Sequence, residues 1–481
     1  DGDPECTLRA AIAEANASAV VDEIHFAIPT TDTNYVSGSP SYWVISPAST
    51  EYGAISGASR LDATTQPGWS TQPIIQLDGT NLSGGEDGLW ADQDGMEVRG
   101  FSLTNWPDDA AHTERDNVTF AANWFGVDPT GAPATSASSD LVLWGGADGV
   151  IVGGNTAADG NVFASGGADD AIILSQSVTS TDIANNRFGI GADGTTNLGP
   201  AMQAIVVGEA SSTTIRNNRF GNLTNAAIVQ SNASTGTIIT GNVFGLDDTD
   251  GAAPVSQALW TNSSGTITFG GTGAGDGNTV ANASSNAVEL SSSTSGSVTI
   301  LGNSITASNS LGIELGGGGG GVTANDAGDV DSGPNDLLNF PVLTNATESG
   351  GTVTVEFDLD VPVNADGYRV EFFSNPTEGI DSSGHGEGEV YLGTVDVAGP
   401  VTGSTFAYTG ALGDVITATA TQKLGAGFGP TSEFSLAYTV NDGTVAVNST
   451  GDAGDAFPGN GVCDTGGTNA DGDDECTLRA A

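Results

Sequence analysis

A small residue followed by an apolar one recurs through the first two thirds of the chain. It stands at Gly88-Leu89, Gly149-Val150, Ala171-Ile172, Ala204-Ile205, Ala227-Ile228, Ala258-Leu259, Ala287-Val288 and Gly312-Ile313. The apolar members are 61, 22, 33, 23, 31, 29 and 25 residues apart. A second signature, Asn-x-apolar and usually Gly, follows most of these, at Asn123, Asn161, Asn186, Asn218, Asn242 and Asn303. Two short strands per repeat, with no helical periodicity between them, predict a parallel β-helix. Its apolar residues should point inward and stack coil upon coil. The Asn and Gly residues should occupy turns, because both tolerate positive φ. Three coils carry a matching insertion, Phe125–Gly131, Phe188–Gly194 and Phe244–Gly251. Insertions at one register fall on one side of a solenoid, and a plain loop shelf is expected there.

The period then changes. Residues 352–361, 368–374, 389–397, 404–409, 414–422 and 431–441 alternate apolar and polar positions between turn residues. This predicts an immunoglobulin-like β-sandwich. Near the start, Leu8, Ala11, Ile12 and Ala15 share one face of a short amphipathic helix. The expected order is a capping helix at 1–19, a β-helix at 20–337 and a sandwich at 338–442. An Asp/Gly-rich linker at 443–481 would lead into the cap of a following unit.

The two ends match. Residues 1–11, DGDPECTLRAA, and 471–481, DGDDECTLRAA, agree at ten of eleven positions across an offset of 470 residues. The expectation is one unit of a tandem array or filament. Its partners are neighbouring copies joined head to tail, with covalent continuity favoured over assembled subunits. Cys463 and Cys476 are expected to form a disulfide, since closing a loop of that size contributes about 3 kcal/mol on the chain-entropy model. Cys6, the counterpart of Cys476, would pair with the preceding repeat.

Composition narrows the partners. The 481 residues include 59 acidic and 10 basic side chains, for a net charge of -49, and Lys423 is the only lysine. That balance excludes nucleic acid and anionic lipid as electrostatic partners and repels polyanionic glycans. No apolar run is long enough for membrane insertion. Acidic residues crowd two junctions: Asp452, Asp455, Asp464, Asp471, Asp473 and Asp474 near one end, and Asp326, Asp329, Asp331 and Asp336 after the coils. Hard oxygen ligands in Gly-rich loops suit Ca²⁺, although neither run matches an EF-hand. No cofactor is required by anything in the chain.

Catalytic constellations are harder to find. Arg187 and Arg219 share one repeat position with Trp124, Val243 and Ser304 and read as outward-facing. Asp169-Asp170 looks like an acid pair, but Asp170 aligns with Asp148 and Asn286 and reads as a turn residue. His385 lies in the sandwich, away from the coil carboxylates. His25 and His112 have no partner at metal-ligand spacing.

The helix Cys-Thr-Leu-Arg-Ala-Ala-Ile, closed by Asn16, resembles the CSLREA motif of surface β-helix proteins, with Ala10 at the usual acidic position. Leu61–Gly79 is similar to the first coils of that family, and the junction Val322–Leu343 and the segment Arg369–Gly393 resemble it as well. The resemblance implies a secreted or surface-exposed right-handed parallel β-helix with a trailing sandwich, and brings no catalytic activity with it. The resulting expectation is an extracellular or cell-surface structural or adhesive protein that is not an enzyme. The alternatives are a carbohydrate-active β-helix, lyase or glycoside hydrolase, and a glycan- or cell-binding module. An enzyme should reveal convergent carboxylates and a base outside the repeat register.

Overall fold

The computed structural model describes residues 6–134, 138–164, 170–199, 203–316, 321–376, 380–443, 448–451, 453–454, 456, 463, 465–468 and 476–477. The chain divides into two compact units, one holding residues 1–284 with 294–296 and the other 285–293 with 297–481.

The first unit starts with the helix Leu8–Ala17. The Thr7 hydroxyl caps it by accepting from the Ala10 N–H, and Leu8, Ile12 and Ala15 are buried. Asn16 ties it to the first coil. Its amide donates to the Ala54 carbonyl, and its oxygen accepts from the Ser56 and Gly57 N–H groups. A Cβ on Gly57 would lie 2.1 Å from the Ala15 carbonyl oxygen, so the helix can seat only over glycine.

Each coil then contributes a strand to three parallel sheets, making the unit a parallel β-helix. One coil runs Leu89–Ala91, Glu97–Arg99, Phe101–Thr104; the next runs Ala111–Thr113, Thr119–Ala121, Trp124–Phe125. Two strands per coil are expected from the sequence and three are present. The strands around Ile183 and Phe188 are separated only by a corner, so their apolar residues read as one run. The signature register also needs one correction. Val150 leads into the middle strand of its coil, Ile151–Gly153, which pairs with Thr119–Ala121. The residues in line with Leu89 and Ile172 are Ala111 and Leu141.

The Asn residues of the second signature are buried rather than in turns. Asn123, Asn161, Asn186, Asn218, Asn242 and Asn278 form a ladder. Each side-chain oxygen accepts from the N–H in the preceding coil, as from Asn161 to Asn186 at 2.9 Å. Each amide reaches a carbonyl across the corner, as from Asn186 to Val152 at 2.9 Å. The left-handed conformation falls one residue earlier, at Ala122, Asn185, Asn217 and Gly241. Inside the ladder, Phe125, Phe163, Phe188, Phe220 and Phe244 stack with ring centroids 4.7–4.8 Å apart. That is the spacing of hydrogen-bonded strands, so one ring fits per coil.

The second unit contains the parallel strands Val288–Ser291, Val298–Leu301, Ser304–Thr306 and Ile313–Gly316. It continues as two antiparallel sheets. Val342–Ser349, Thr352–Leu359 and Val401–Thr409 form one. Val390–Val397, Tyr368–Ser374, Val415–Leu424 and Gly427–Thr431 form the other, with Tyr438–Thr439 beside Val415–Leu424. Val353, Val355, Phe357 and Leu359 alternate into the core with Phe372 and Phe406. Four N–H groups on or beside these strands are taken by side chains, while that of Ile305 donates to the Gly388 carbonyl oxygen. Val298 donates to Asn335, Ile300 to Thr431, Gly302 to Glu371 and Leu315 to Glu433, at 2.8–2.9 Å.

Cys463 and Cys476 form a disulfide, with Cα atoms 5.2 Å apart. The Cys476 N–H donates to Asn448 at 2.7 Å. Cys6 is exposed and unpaired within the chain. Peptide mapping without reductant should give one linked peptide pair from 463 and 476. Recovery of both residues alkylated would contradict the pairing.

Candidate functional site

The sheet that holds Leu89–Ala91 and Ala111–Thr113 has at its entry a row of residues that pack against the coil above. A Cβ on Gly88 would approach the Ala110 carbonyl oxygen to 2.0 Å, so the row favours small residues. Gly88, Ala110, Ala171, Ala204, Ala227 and Ala258 occupy it. The exception is Asp140, between Ala110 and Ala171. Asp140 is 1 % exposed, and neither of its carboxylate oxygens finds a hydrogen-bond partner among the described residues. Burial, with the Asp109 charge, pushes its carboxyl well above the usual carboxylate range.

Three more carboxylates converge on this place from adjoining coils. Asp87 precedes Gly88, and Asp108-Asp109 precedes Ala110. One oxygen from each lies within 4.8 Å of the others. The Asp109 N–H donates to Asp87 at 3.3 Å, and the Asp87 N–H donates to Glu51 at 3.1 Å. Burial raises Asp109 to about 7, helped by the charges of Asp108 and Asp87. Burial also raises Asp87 to about 6, opposed by the hydrogen bond from Asp109. Near neutrality one carboxyl thus keeps its proton about half the time, while its neighbour is mostly ionised.

His112 stands beside them, on the strand Ala111–Thr113. Its Nδ1 is 3.3 Å from an Asp87 oxygen. The ring lies between Trp90, at 5.2 Å, and Trp144, at 5.7 Å. Burial lowers His112 to about 4, so it is neutral at pH 7. The cations nearby are engaged. Arg115 donates to Asp92 at 2.6 Å, and Arg9 donates to the carbonyls of Thr50 and Glu51. Acid and base chemistry by carboxylates, beside aromatic rings able to stack on a sugar, is what this arrangement can perform.

The other sequence candidates fall elsewhere. Asp169 lies outside the described residues. Asp170 adjoins the small-residue row at Ala171, as Asp109 does at Ala110, two coils away. The same Asp-Asp-Ala sequence thus stands at Asp108-Asp109-Ala110 and at Asp169-Asp170-Ala171. Arg187 and Arg219 are in register and both pair with Asp248 in the shelf of inserted loops. His385 has Nδ1 3.1 Å from the Phe434 carbonyl oxygen. His25 pairs with Glu23. His112 has no partner at metal-ligand spacing in the sequence, and its contact with Asp87 arises between coils.

Among the residues expected to bind Ca²⁺, Asp452, Asp455, Asp464, Asp471, Asp473 and Asp474 lie outside the described residues. Asp326, Asp329 and Asp331 offer oxygens within 4.8 Å of one another, a donor set suited to a hard cation. Asp336 is not part of that group. Burial raises Asp329 to about 6 despite a hydrogen bond from the Asn339 N–H.

A scan of protein-family models and a search of curated proteins each gave no match. Among solved structures, the chain is similar to pectate lyase Pel9A at 12% identity and TM-score 0.22, over 62% of this chain and 73% of that one. It is similar to the tailspike gp49 of Acinetobacter baumannii bacteriophage Fri1, a capsular polysaccharide depolymerase, at 11% identity and TM-score 0.28, over 82% and 70%. A tailspike mutant of E. coli bacteriophage HK620, solved with a hexasaccharide, matches at 11% identity and TM-score 0.27, over 83% and 87%. The expectation that the chain is not an enzyme is corrected against these neighbours, a lyase and a depolymerase among them. Identities this low transfer no activity, so the chemistry must be argued from the residues. No helix among the described residues is long and apolar enough to cross a membrane.

Proposed function

We propose that the first unit is a glycoside hydrolase acting on an extracellular polysaccharide. The observation that supports it is the convergence of Asp87, Asp108 and Asp109 beside Trp90, His112 and Trp144. This convergence involves two coils outside the repeat signature. Asp109 serves as general acid and Asp87 as nucleophile. The separation is nearer the ~5 Å of double-displacement enzymes than the ~6.5–9.5 Å that admits a water between acid and base. In the first step the glycosidic C1–O bond breaks, Asp109 gives its proton to the leaving oxygen, and an Asp87 oxygen bonds to C1. In the second step Asp109 takes a proton from water, whose oxygen displaces Asp87. Retention at C1 follows. A lyase fits less well, because Arg9 and Arg115 are held in other contacts and neither is free to serve as base.

The test is reducing-end release from a polysaccharide panel, with the product anomer read by NMR. Retained product is expected, and an inverted product would exclude Asp87 as nucleophile. The rate should be bell-shaped in pH. Activity falls as pH drops through about 6, where Asp87 is protonated. It falls again as pH rises through about 7, where Asp109 loses its proton. A flat profile from pH 5 to 8 would remove both residues from the mechanism.

The disulfide supports an oxidising, extracellular location. The matched DGDxECTLRAA segments support a second reading, in which this catalytic unit recurs head to tail in an array.

A further inference from the structure

We propose that the glycan taken by this site carries protonated amino groups, and that Asp108 selects them; this rests on the hydrolase reading above. The site is negative at both ends of the same strands. Glu51, Asp87, Asp108, Asp109 and Asp140 lie toward the strand entries, and Asp92, Asp94, Glu114 and Asp116 follow the exits. Between them sits His112, which is 4 % exposed, with Nδ1 directed at Asp87 yet making no hydrogen bond. Neither that ring nor the enclosed Asp140 supplies a positive charge. Arg115 is paired with Asp92, and Arg9 is spent on backbone carbonyls and the Tyr52 ring. The described residues thus bring several carboxylates together without a free cation among them.

The two Trp rings favour the same ligand. An ammonium group near an aromatic face is attracted by the ring quadrupole. A hexosamine presents such a group on an otherwise stackable ring, whereas a uronic acid would bring a further anion into the cluster. In the mechanism Asp87 and Asp109 are committed to the reacting bond. Asp108, half-buried beside both, is left to meet the charge of the substrate.

The test compares glucosamine oligomers, their N-acetylated counterparts and galacturonate oligomers on the full chain. At low salt, kcat/KM for glucosamine oligomers should exceed that for the acetylated set about tenfold, the factor that 1.4 kcal/mol represents. The margin should shrink at about 0.5 M salt, where the Debye length falls to a few ångströms. Because the Asp108 charge helps hold the Asp109 carboxyl up, Asp108→Asn should shift the alkaline limb of activity down for both substrates alike; compared at each enzyme's own pH optimum, it should raise KM for glucosamine oligomers about tenfold more than KM for the acetylated set. Asp108→Glu, which keeps the charge, should restore the preference. Equal losses on both substrates would overturn Asp108 as the selecting residue. Cleavage of acetylated but not free-amine oligomers would overturn the charge argument and leave the hydrolase intact. If neither amino-sugar set is cleaved while another member of the polysaccharide panel is, this inference falls alone; if the whole panel is left uncut, the hydrolase reading falls and this inference with it.

Discussion

Asp109→Asn is expected to lower kcat by about 10³, within the range a positioned general acid contributes. Asn keeps the shape of Asp109, and the backbone N–H that donates to Asp87 is untouched. What disappears is the proton delivered to the leaving oxygen. An aryl glycoside with a good leaving group needs little protonation, so the loss in its first step should be much smaller. A purely structural role would depress both substrates alike. Stability supplies an independent check. Folding raises the Asp109 carboxyl to about 7, so the folded state binds the extra proton. Its contribution is therefore present at low pH and is lost as pH rises from the ordinary carboxylate range through 7. The Asn variant has no such titration and should melt no lower than the parent at pH 8. A large drop in its melting point would assign the lost activity to misfolding.

Phe188→Ala should cost the first unit about 3–5 kcal/mol, the range for removing a buried aromatic ring. Phe188 is 1 % exposed and stacks at 4.8 Å on Phe163 and on Phe220. The backbone around it is fixed by the ladder, with Asn186 bonded to Asn161 and to Asn218. Neighbouring coils therefore cannot close over the hole. Phe269→Ala should cost less, because that ring lies 6.0 Å from Phe244 at an angle of 29°, out of the parallel 4.7–4.8 Å stack that holds Phe188. Urea unfolding of both variants gives the comparison. Equal midpoints would mean that stacking adds nothing to burial.

The solenoid was legible because the same residue types recur at one height in successive coils. Phe163, Phe188, Phe220 and Phe244 announce themselves in this way. The site was hidden for the complementary reason. Ala111 and Leu141 are the true members of the inner row, but Ala111 is small and Leu141 is preceded by an acid. The signature therefore passed over both coils and settled on Val150. Those two coils hold Asp108, Asp109, His112 and Asp140. A residue that departs from its repeat for chemical reasons erases the mark by which the repeat is found. Glu51 and Asp87 were hidden differently, since they reach the cluster from coils apart in sequence and only strand pairing brings them together. The buried Asn ladder was misread as turn residues because Asn has both uses, and only the corner geometry tells them apart.

The side chains that take the last parallel strands' N–H groups in the second unit also bear on self-association. A bare parallel strand is a template on which a strand from another molecule can add, coil by coil, toward a fibril. At Val298, Ile300, Gly302 and Leu315 the donors that such a strand would need are occupied by Asn335, Thr431, Glu371 and Glu433. Two of these blockers are carboxylates, so an arriving peptide carbonyl would have to displace an oxygen acceptor already in place. Growth by strand addition is therefore closed at those four positions.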